Sequence, residues 1–131
     1  MNANGTFDLT MTAEPPYDVV DGVSLGRVAF DKRFGGPLDA TSVVHMIGAR
    51  TPVDGSAGYV AIERVTGTLD GRAGTFVLQH TGVMTRGARS LSVTVVPDSG
   101  TGALRGLSGR MDIQVVEGKH LYAFEYELAA D

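Results

Sequence analysis

The stretch that decides the fold reads YVAIERVTGTLDGRAGTFVLQHTG and runs from Tyr59 to Gly82. Apolar and polar residues alternate in two segments, which are joined by Asp70-Gly71. Such alternation is typical of half-buried strands, and an Asp-Gly pair between two of them indicates a hairpin with a type I′ turn, because both residues tolerate positive φ. The stretch therefore predicts a long β-hairpin in which Leu69 pairs with Arg72.

This register divides the side chains of the hairpin between two faces. Most of the large apolar residues share the first face, which carries Tyr59, Ala61, Glu63, Val65, Phe76, Leu78 and His80. The second face carries Val60, Ile62, Arg64, Thr66, Thr75, Val77, Gln79 and Thr81. Glu63 then lies diagonal to His80, at roughly 7–8 Å between backbones and within reach of a side-chain hydrogen bond. If the faces were reversed, Arg64 and Gln79 would be the interior polar groups.

Further strands are indicated on both sides of this hairpin. They are expected at Gly5 to Ala13, about Ser24 to Phe34, Leu38 to Arg50, Arg89 to Val96, and in a last hairpin turned at Glu117-Gly118. The Pro-containing segment from Pro15 to Gly22 is expected to be an irregular connection, because proline cannot donate to a strand ladder.

The register of the strand from Leu38 to Arg50 stays open. A two-residue turn after Phe34 would place Val43, His45 and Ile47 inside, whereas a three-residue turn would place Ser42, Val44 and Met46 inside. A slip of one residue moves every side chain to the other face, so the position of His45 is undecided.

Eight strands with short connections and no amphipathic helix predict an all-β fold for the single domain of residues 1–131. Without a helix to cover it, the sheet has to cover itself. An eight-stranded antiparallel barrel removes the strand edges and leaves room for side chains or one small ligand. A two-sheet sandwich is the alternative.

Composition and charge narrow the classes of partner. The 131 residues carry a net charge of −4, no basic cluster and no cysteine. A protein that binds nucleic acid needs cationic groups to neutralise phosphates, so this partner is not expected. No apolar run reaches the roughly 18–20 residues that span a bilayer. We therefore expect a cytoplasmic protein without disulfides and without a membrane partner.

The segment SGTGALRGLSGRMDI, from Ser99 to Ile113, resembles a glycine-rich pattern shared by allene oxide cyclases and dirigent proteins. Longer matches, namely ERVTG (63–67), GRAGTFVLQHTG (71–82) and VVPDSGTGALRGLSG (95–109), are similar to a bacterial domain-of-unknown-function family grouped with that barrel superfamily. The resemblance implies an allene oxide cyclase-like, oligomer-prone barrel. Its better-studied relatives steer reactive intermediates through cyclisation or coupling in or at the mouth of the barrel.

If the first face of the central hairpin points inward, Glu63 and His80 are buried together, with Lys32 near them. Such a pair can act as a general acid and base, so we assign Glu63 and His80 as candidate catalytic residues of a cyclase or isomerase. Lys32, Phe76, Tyr122 and Tyr126 are the candidate ligand-binding residues around a small apolar ligand. Two alternatives are a non-catalytic ligand-binding barrel and a structural or interaction module with a filled core, in which the polar residues only hold the register.

Other histidines and carboxylates show no metal-ligand spacing, so no metal and no cofactor are expected. His120 follows the turn at Glu117-Gly118 at the barrel rim and is interpreted as a solvated or capping residue. The outward Val60, Ile62 and Val77 would form an exposed apolar patch, and such patches usually mark an interface. We expect a homodimer or a homotrimer that uses this face.

Overall fold

The computed structural model describes residues 1–129, which form one antiparallel sheet of nine strands. The strands are β1 (Asn2–Ala13), β2 (Asp18–Val20), β3 (Val23–Gly35), β4 (Leu38–Arg50), β5 (Ala57–Leu69), β6 (Arg72–Thr85), β7 (Ala88–Val95), β8 (Leu107–Val116) and β9 (Lys119–Leu128). A short 3-10 turn, Gly102–Leu104, lies between β7 and β8.

The sheet closes on itself because β1 pairs with β9 on one side and with β3 on the other. The closed ring contains eight strands, β1 and β3 to β9, so the prediction of an all-β, eight-stranded antiparallel barrel is confirmed. Among residues 1–129 no helix has the length and apolar character needed to cross a membrane.

The additional strand β2 lies in the connection that was predicted to be irregular. The β1–β3 ladder ends where Ala13 pairs with Val28, so the first residues of β3 have no partner in β1. β2 supplies that partner, with Asp18 opposite Leu25. Pro15 and Pro16 prevent β1 from continuing. The three residues of β2 then pair with the part of β3 that β1 leaves unpaired.

The central hairpin has the predicted register. Leu69 pairs with Arg72, and both turn residues have positive φ, 48° at Asp70 and 80° at Gly71. Glu63 is fully buried and His80 is 5% exposed. The first face of the hairpin therefore points into the barrel, as expected.

The register of β4 is the one that a three-residue turn produces. Phe34 pairs with Ala40, so Ser42 and Val44 are buried and His45 is exposed on the outside. This wider turn starts at Gly36. Its φ of +101° is a backbone conformation that residues with a side chain rarely adopt. The open question about His45 is thereby answered.

The glycine-rich crossover after β7 covers an edge of β6. The backbone N–H of Thr101 donates to the Thr75 carbonyl (2.8 Å), and the Ser99 hydroxyl accepts from the backbone N–H of Val77 (3.0 Å). A Cβ on Gly74 would lie 2.1 Å from the Thr101 carbonyl oxygen, so this close approach requires glycine. The crossover brings Leu104, 1% exposed, onto the barrel core.

The barrel has two different ends. We call the end with the Asp70-Gly71 turn and Leu104 the closed end. Its interior is filled by a stack of aromatic rings. The ring centroids of Phe76 and Phe124 lie 5.8 Å apart, and those of Phe124 and Tyr126 lie 5.3 Å apart. We call the opposite end, with the Arg86-Gly87 turn, the open end. The inward-facing residues between the two ends decide whether the barrel interior leaves a cavity for a ligand.

Candidate functional site

Glu63 lies in the middle of β5 and points into the barrel between the two ends. Its carboxylate has a partner from each of three other strands, β3, β4 and β6. Oε1 contacts Nε2 of His80 at 2.7 Å and Nζ of Lys32 at 3.3 Å. Oε2 accepts a hydrogen bond from the Ser42 hydroxyl at 2.6 Å. We call Lys32, Ser42, Glu63 and His80 the Glu63 cluster.

These partners keep Glu63 ionised although it is buried. Burial alone would raise the pKa of the carboxyl group, but the hydrogen bond with His80, the charge of Lys32 and the hydrogen bond from Ser42 outweigh it and lower the pKa below the ordinary 4.5. No buried side-chain nitrogen or oxygen in residues 1–129 lacks a hydrogen-bond partner. The cluster is therefore a satisfied network that holds a carboxylate inside a barrel.

Lys32 supplies the positive charge of this network and also contacts aromatic rings. Its Nζ lies 4.7 Å from the ring centroid of Phe7 and 5.7 Å from that of Phe34. Cation–π attraction and the ion pair with Glu63 together offset the cost of burying the ammonium group. The opposite charges of Lys32 and Glu63 cancel within the cluster.

The contact with Glu63 fixes which nitrogen of His80 carries the proton. An ionised carboxylate only accepts, so Nε2 carries the hydrogen and donates it to Oε1. In the neutral ring Nδ1 is then an acceptor without a hydrogen. Nδ1 has no hydrogen bond to any described residue, and the side chain of His80 lines a pocket.

That pocket lies at the open end and has a volume of about 290 Å³. Its walls are mostly apolar side chains from several strands, and the lining residues that carry polar groups are Lys32, Tyr59, His80 and His120. The lining residues are Phe7, Leu9, Phe30, Lys32, Val44, Met46, Tyr59, Ala61, His80, Leu91, Ile113 and His120. Glu63 lies behind Lys32 and His80 and does not line it.

The structure brings together Glu63, His80 and Lys32, three of the candidate residues, and it places the other three elsewhere. Phe76 and Tyr126 belong to the aromatic stack of the closed end. Tyr122 donates its hydroxyl hydrogen to the Gly35 carbonyl (2.8 Å) and accepts from the Leu38 backbone N–H (3.1 Å). These three side chains share the inward face with His80 but lie further along the barrel, so they do not line this pocket.

Two site residues were missed by the sequence interpretation or left undecided. Ser42 faced inward in only one of the two possible registers of β4. His120 was interpreted as a solvated rim residue, but it is partly buried, lines the pocket and has its ring centroid 5.1 Å from that of Phe7. His120 alternates in β9 with Tyr122 and Phe124, which are buried, and this alternation could have predicted that His120 points inward. In the part of the chain that the structure describes, no three His, Asp or Glu side chains gather as metal ligands.

Comparisons with known proteins agree with this fold. A crystal structure of a protein of unknown function from the DUF3224 family of Shewanella oneidensis MR-1 is 49% identical to this chain, with a TM-score of 0.94. The match covers 99% of this chain and 98% of that one. No curated protein matches the chain significantly. The model of the DUF3224 family, described as a protein of unknown function, matches residues 3–126, and the chain therefore belongs to that family.

Proposed function

We propose that the protein binds a small, largely apolar molecule in the pocket at the open end, with His80 Nδ1 accepting a hydrogen bond from it. The observation that carries this proposal is the orientation of His80. Its Nε2 is held by a buried carboxylate at 2.7 Å, and its side chain lines an apolar pocket. Ligand sites are typically concave, mostly apolar and equipped with a few fixed polar groups.

We further propose that His80 acts as a general base in an isomerisation. When His80 takes a proton from the carbon next to a ligand carbonyl, the ionised Glu63 stabilises the imidazolium that forms. Lys32, which also lines the pocket, stabilises the negative oxygen of the resulting enolate. Where a carbon–carbon double bond adjoins the deprotonated carbon, His80 returns the proton to the far carbon of that double bond, and the double bond moves next to the carbonyl group, so no oxidant or reductant is needed. Glu63 is thus a positioning residue in this proposal rather than the acid that faces the substrate.

Binding is tested with a phenol and its methyl ether, which differ in one hydrogen-bond donor. Isothermal titration should show that 4-propylphenol binds more tightly than 4-propylanisole, and that His80→Leu removes the difference. His45→Leu is the matched control, because His45 is exposed on the outer surface of β4. Equal affinity of the two probes for the wild-type protein would contradict the binding proposal.

Catalysis is tested by proton exchange, which needs no knowledge of the natural substrate. In D₂O the wild-type protein should exchange the α-protons of 4-propylcyclohexanone faster than the His80→Leu variant does, as followed by proton NMR. A specific observation favours the competing function of a non-catalytic carrier: every buried polar atom of the Glu63 cluster is already satisfied. Binding without His80-dependent exchange would establish the carrier.

We also propose that this DUF3224 barrel belongs to the allene oxide cyclase-like superfamily and works in the cytoplasm. Two features support the superfamily: the closed ring of eight antiparallel strands and the glycine-rich crossover that leads into β8. The absence of cysteine from the sequence is compatible with a reducing compartment.

A second copy of the chain is the proposed partner of the outer face of β4 and β5. Four apolar side chains there are between 45% and 55% exposed: Val43, Ile47, Val60 and Ile62. Val43 of β4 pairs with Asp31 of β3 on one side and with Arg64 of β5 on the other, so a negative and a positive charge flank it. A copy related by a two-fold axis can therefore match these opposite charges around the apolar centre.

Sedimentation velocity tests this assembly. The wild-type protein should sediment as a dimer and Ile62→Lys as a monomer. Val116→Lys is the matched control, since Val116 is also exposed but lies in β8, and it should leave the dimer intact. A monomeric wild-type protein would contradict the assembly, and a trimer would keep the interface but exclude the two-fold arrangement.

A further inference from the structure

A second cavity lies at the open end, beyond the pocket that holds His80. Its volume is about 490 Å³, and we call it the vestibule. Pro16, Gly26, Val28 and Gly48 are among the residues of its wall. Gly26 pairs with Gly48 across β3 and β4, at positions that share the inward face with Lys32 and Ser42. Two paired glycines leave this part of the barrel interior without side chains.

The vestibule and the pocket share two wall residues, Met46 and Tyr59. Tyr59 is opposite Gly82 in the β5–β6 ladder, and a Cβ on Gly82 would lie 2.2 Å from Tyr59 Cε1. The missing side chain at Gly82 thus makes room for the tyrosine ring, which lies at the boundary of the two cavities. Methionine is unbranched and adapts its shape easily, so this boundary can yield to a ligand.

From these observations we infer that the ligand is elongated, with a donor group at His80 and an unbranched hydrocarbon tail that passes Met46 and Tyr59 into the vestibule. The tail is needed because the pocket of about 290 Å³ lies at the lower limit of the roughly 300–1,000 Å³ of typical ligand sites. The vestibule begins two residues along the strand from Ala61, the partner of His80, which is roughly 7 Å. This inference rests on the proposed binding function.

The head of such a molecule is expected to be uncharged. Nζ of Lys32 is already paired with Glu63 at 3.3 Å, so a permanent negative charge on the head would lie near Glu63 as well as Lys32. His80 Nδ1 instead offers an acceptor to a hydroxyl group. Long-chain alcohols and alkylphenols are therefore the chemical class that the two cavities fit as bound ligands; they have no proton next to a carbonyl group, so this inference concerns the binding function and not the isomerisation.

The experiment compares 4-propylphenol with 4-heptylphenol by isothermal titration. Each methylene transferred from water into an apolar wall strengthens binding roughly fourfold, so heptylphenol should bind the wild-type protein at least tenfold more tightly. Gly26→Leu places a side chain in the vestibule and should abolish this gain without changing the affinity for propylphenol. Gly26→Ala is the matched control, because its Cβ would lie 4.0 Å from the nearest atom of Pro16 and should leave both affinities unchanged.

A second measurement does not depend on a variant that folds. In the wild-type complex, isotope-edited NOEs should connect the terminal methyl group of 4-heptylphenol with the methyl groups of Val28. Equal affinities of the two phenols, or the absence of these NOEs, would overturn the inference while His80-dependent binding of propylphenol still supports the proposed function. If neither phenol binds, both the proposed function and this inference fail.

Discussion

The closed end and the open end of the barrel are built from the same strands with the same alternation of side chains, but they differ in what fills them. At the closed end the inward positions hold the aromatic stack of Phe76, Phe124 and Tyr126, and Leu104 of the crossover adds to the packed core. At the open end inward positions include Gly26 and Gly48, and two cavities remain. The difference shows that side-chain volume along one face, rather than strand pattern, decides where a small barrel is solid.

The Glu63 cluster lies at the boundary between these ends. It is buried like the core, but two of its members, Lys32 and His80, also line the pocket. The packed end fixes the strands, and the strands hold the four side chains of the cluster in place. The closed end is therefore expected to carry the stability, and the open end the function.

The largest difference between the ends should appear when a phenylalanine is truncated in each. Phe76→Ala at the closed end should lower the free energy of unfolding by about 3–5 kcal/mol, because Phe76 is only 1% exposed and a cavity would remain. Phe30→Ala in the pocket wall should cost about 1–2 kcal/mol, because Phe30 is partly exposed and already borders a cavity. Urea denaturation measures both, and equal losses would show that the two ends do not differ in this way.

Breaking the ion pair at the boundary should have the next largest effect. Glu63→Gln leaves the Lys32 ammonium buried without its counter-charge and should cost about 3 kcal/mol at neutral pH. The matched double variant, Glu63→Gln with Lys32→Met, removes both charges and should recover at least half of that loss. If urea denaturation shows that the double variant loses as much as the sum of the single variants, Lys32 and Glu63 are not coupled.

The acid limb of the stability profile tests the same carboxylate. Since the pKa of Glu63 is lower in the folded protein than the ordinary 4.5, ionised Glu63 stabilises the fold above pH 4.5, and this contribution is lost as the pH falls through the lower folded value. The advantage of the wild-type protein over Glu63→Gln should therefore shrink in acid. Thermal denaturation followed by circular dichroism between pH 7 and pH 3 measures it, and an advantage that grows in acid would contradict the assigned direction.

The smallest effect concerns the hydroxyl group of Tyr126 at the closed end. Burial, the hydrogen bond to Asp70 and the Asp70 charge together raise the pKa of Tyr126 from 10.0 to about 12. Its protonated form therefore stabilises the fold fully below pH 10, and this contribution is lost as the pH rises towards 12. Tyr126→Phe should cost about 1 kcal/mol at pH 7, and the difference from the wild-type protein should narrow above pH 10. A difference that stays constant up to pH 12 would contradict the assigned pKa direction.

The extent to which sequence predicts this molecule can be seen from particular residues. The Asp70-Gly71 turn allowed the whole register of the central hairpin to be derived, and with it the burial of Glu63 beside His80. Alternation alone could not tell the two ends apart, because Phe76 and Tyr126 have the same inward parity as His80. Phe76 lies four residues from His80 in the same strand, so its distance could be derived from the hairpin, whereas that of Tyr126 depends on strand stagger around the closed barrel, which no local pattern encodes. The position of Ser42 depended likewise on a turn whose length was ambiguous.

The most direct test of the central claim is the protonation of the His80 ring, observed in a long-range ¹H–¹⁵N NMR spectrum of the wild-type protein. We predict that Nε2 carries the hydrogen and that Nδ1 has the chemical shift of an unprotonated acceptor. Addition of 4-propylphenol should shift the Nδ1 resonance, and addition of 4-propylanisole should leave it nearly unchanged. A ring that carries its hydrogen on Nδ1, or an Nδ1 resonance that does not respond to the phenol, would contradict the account.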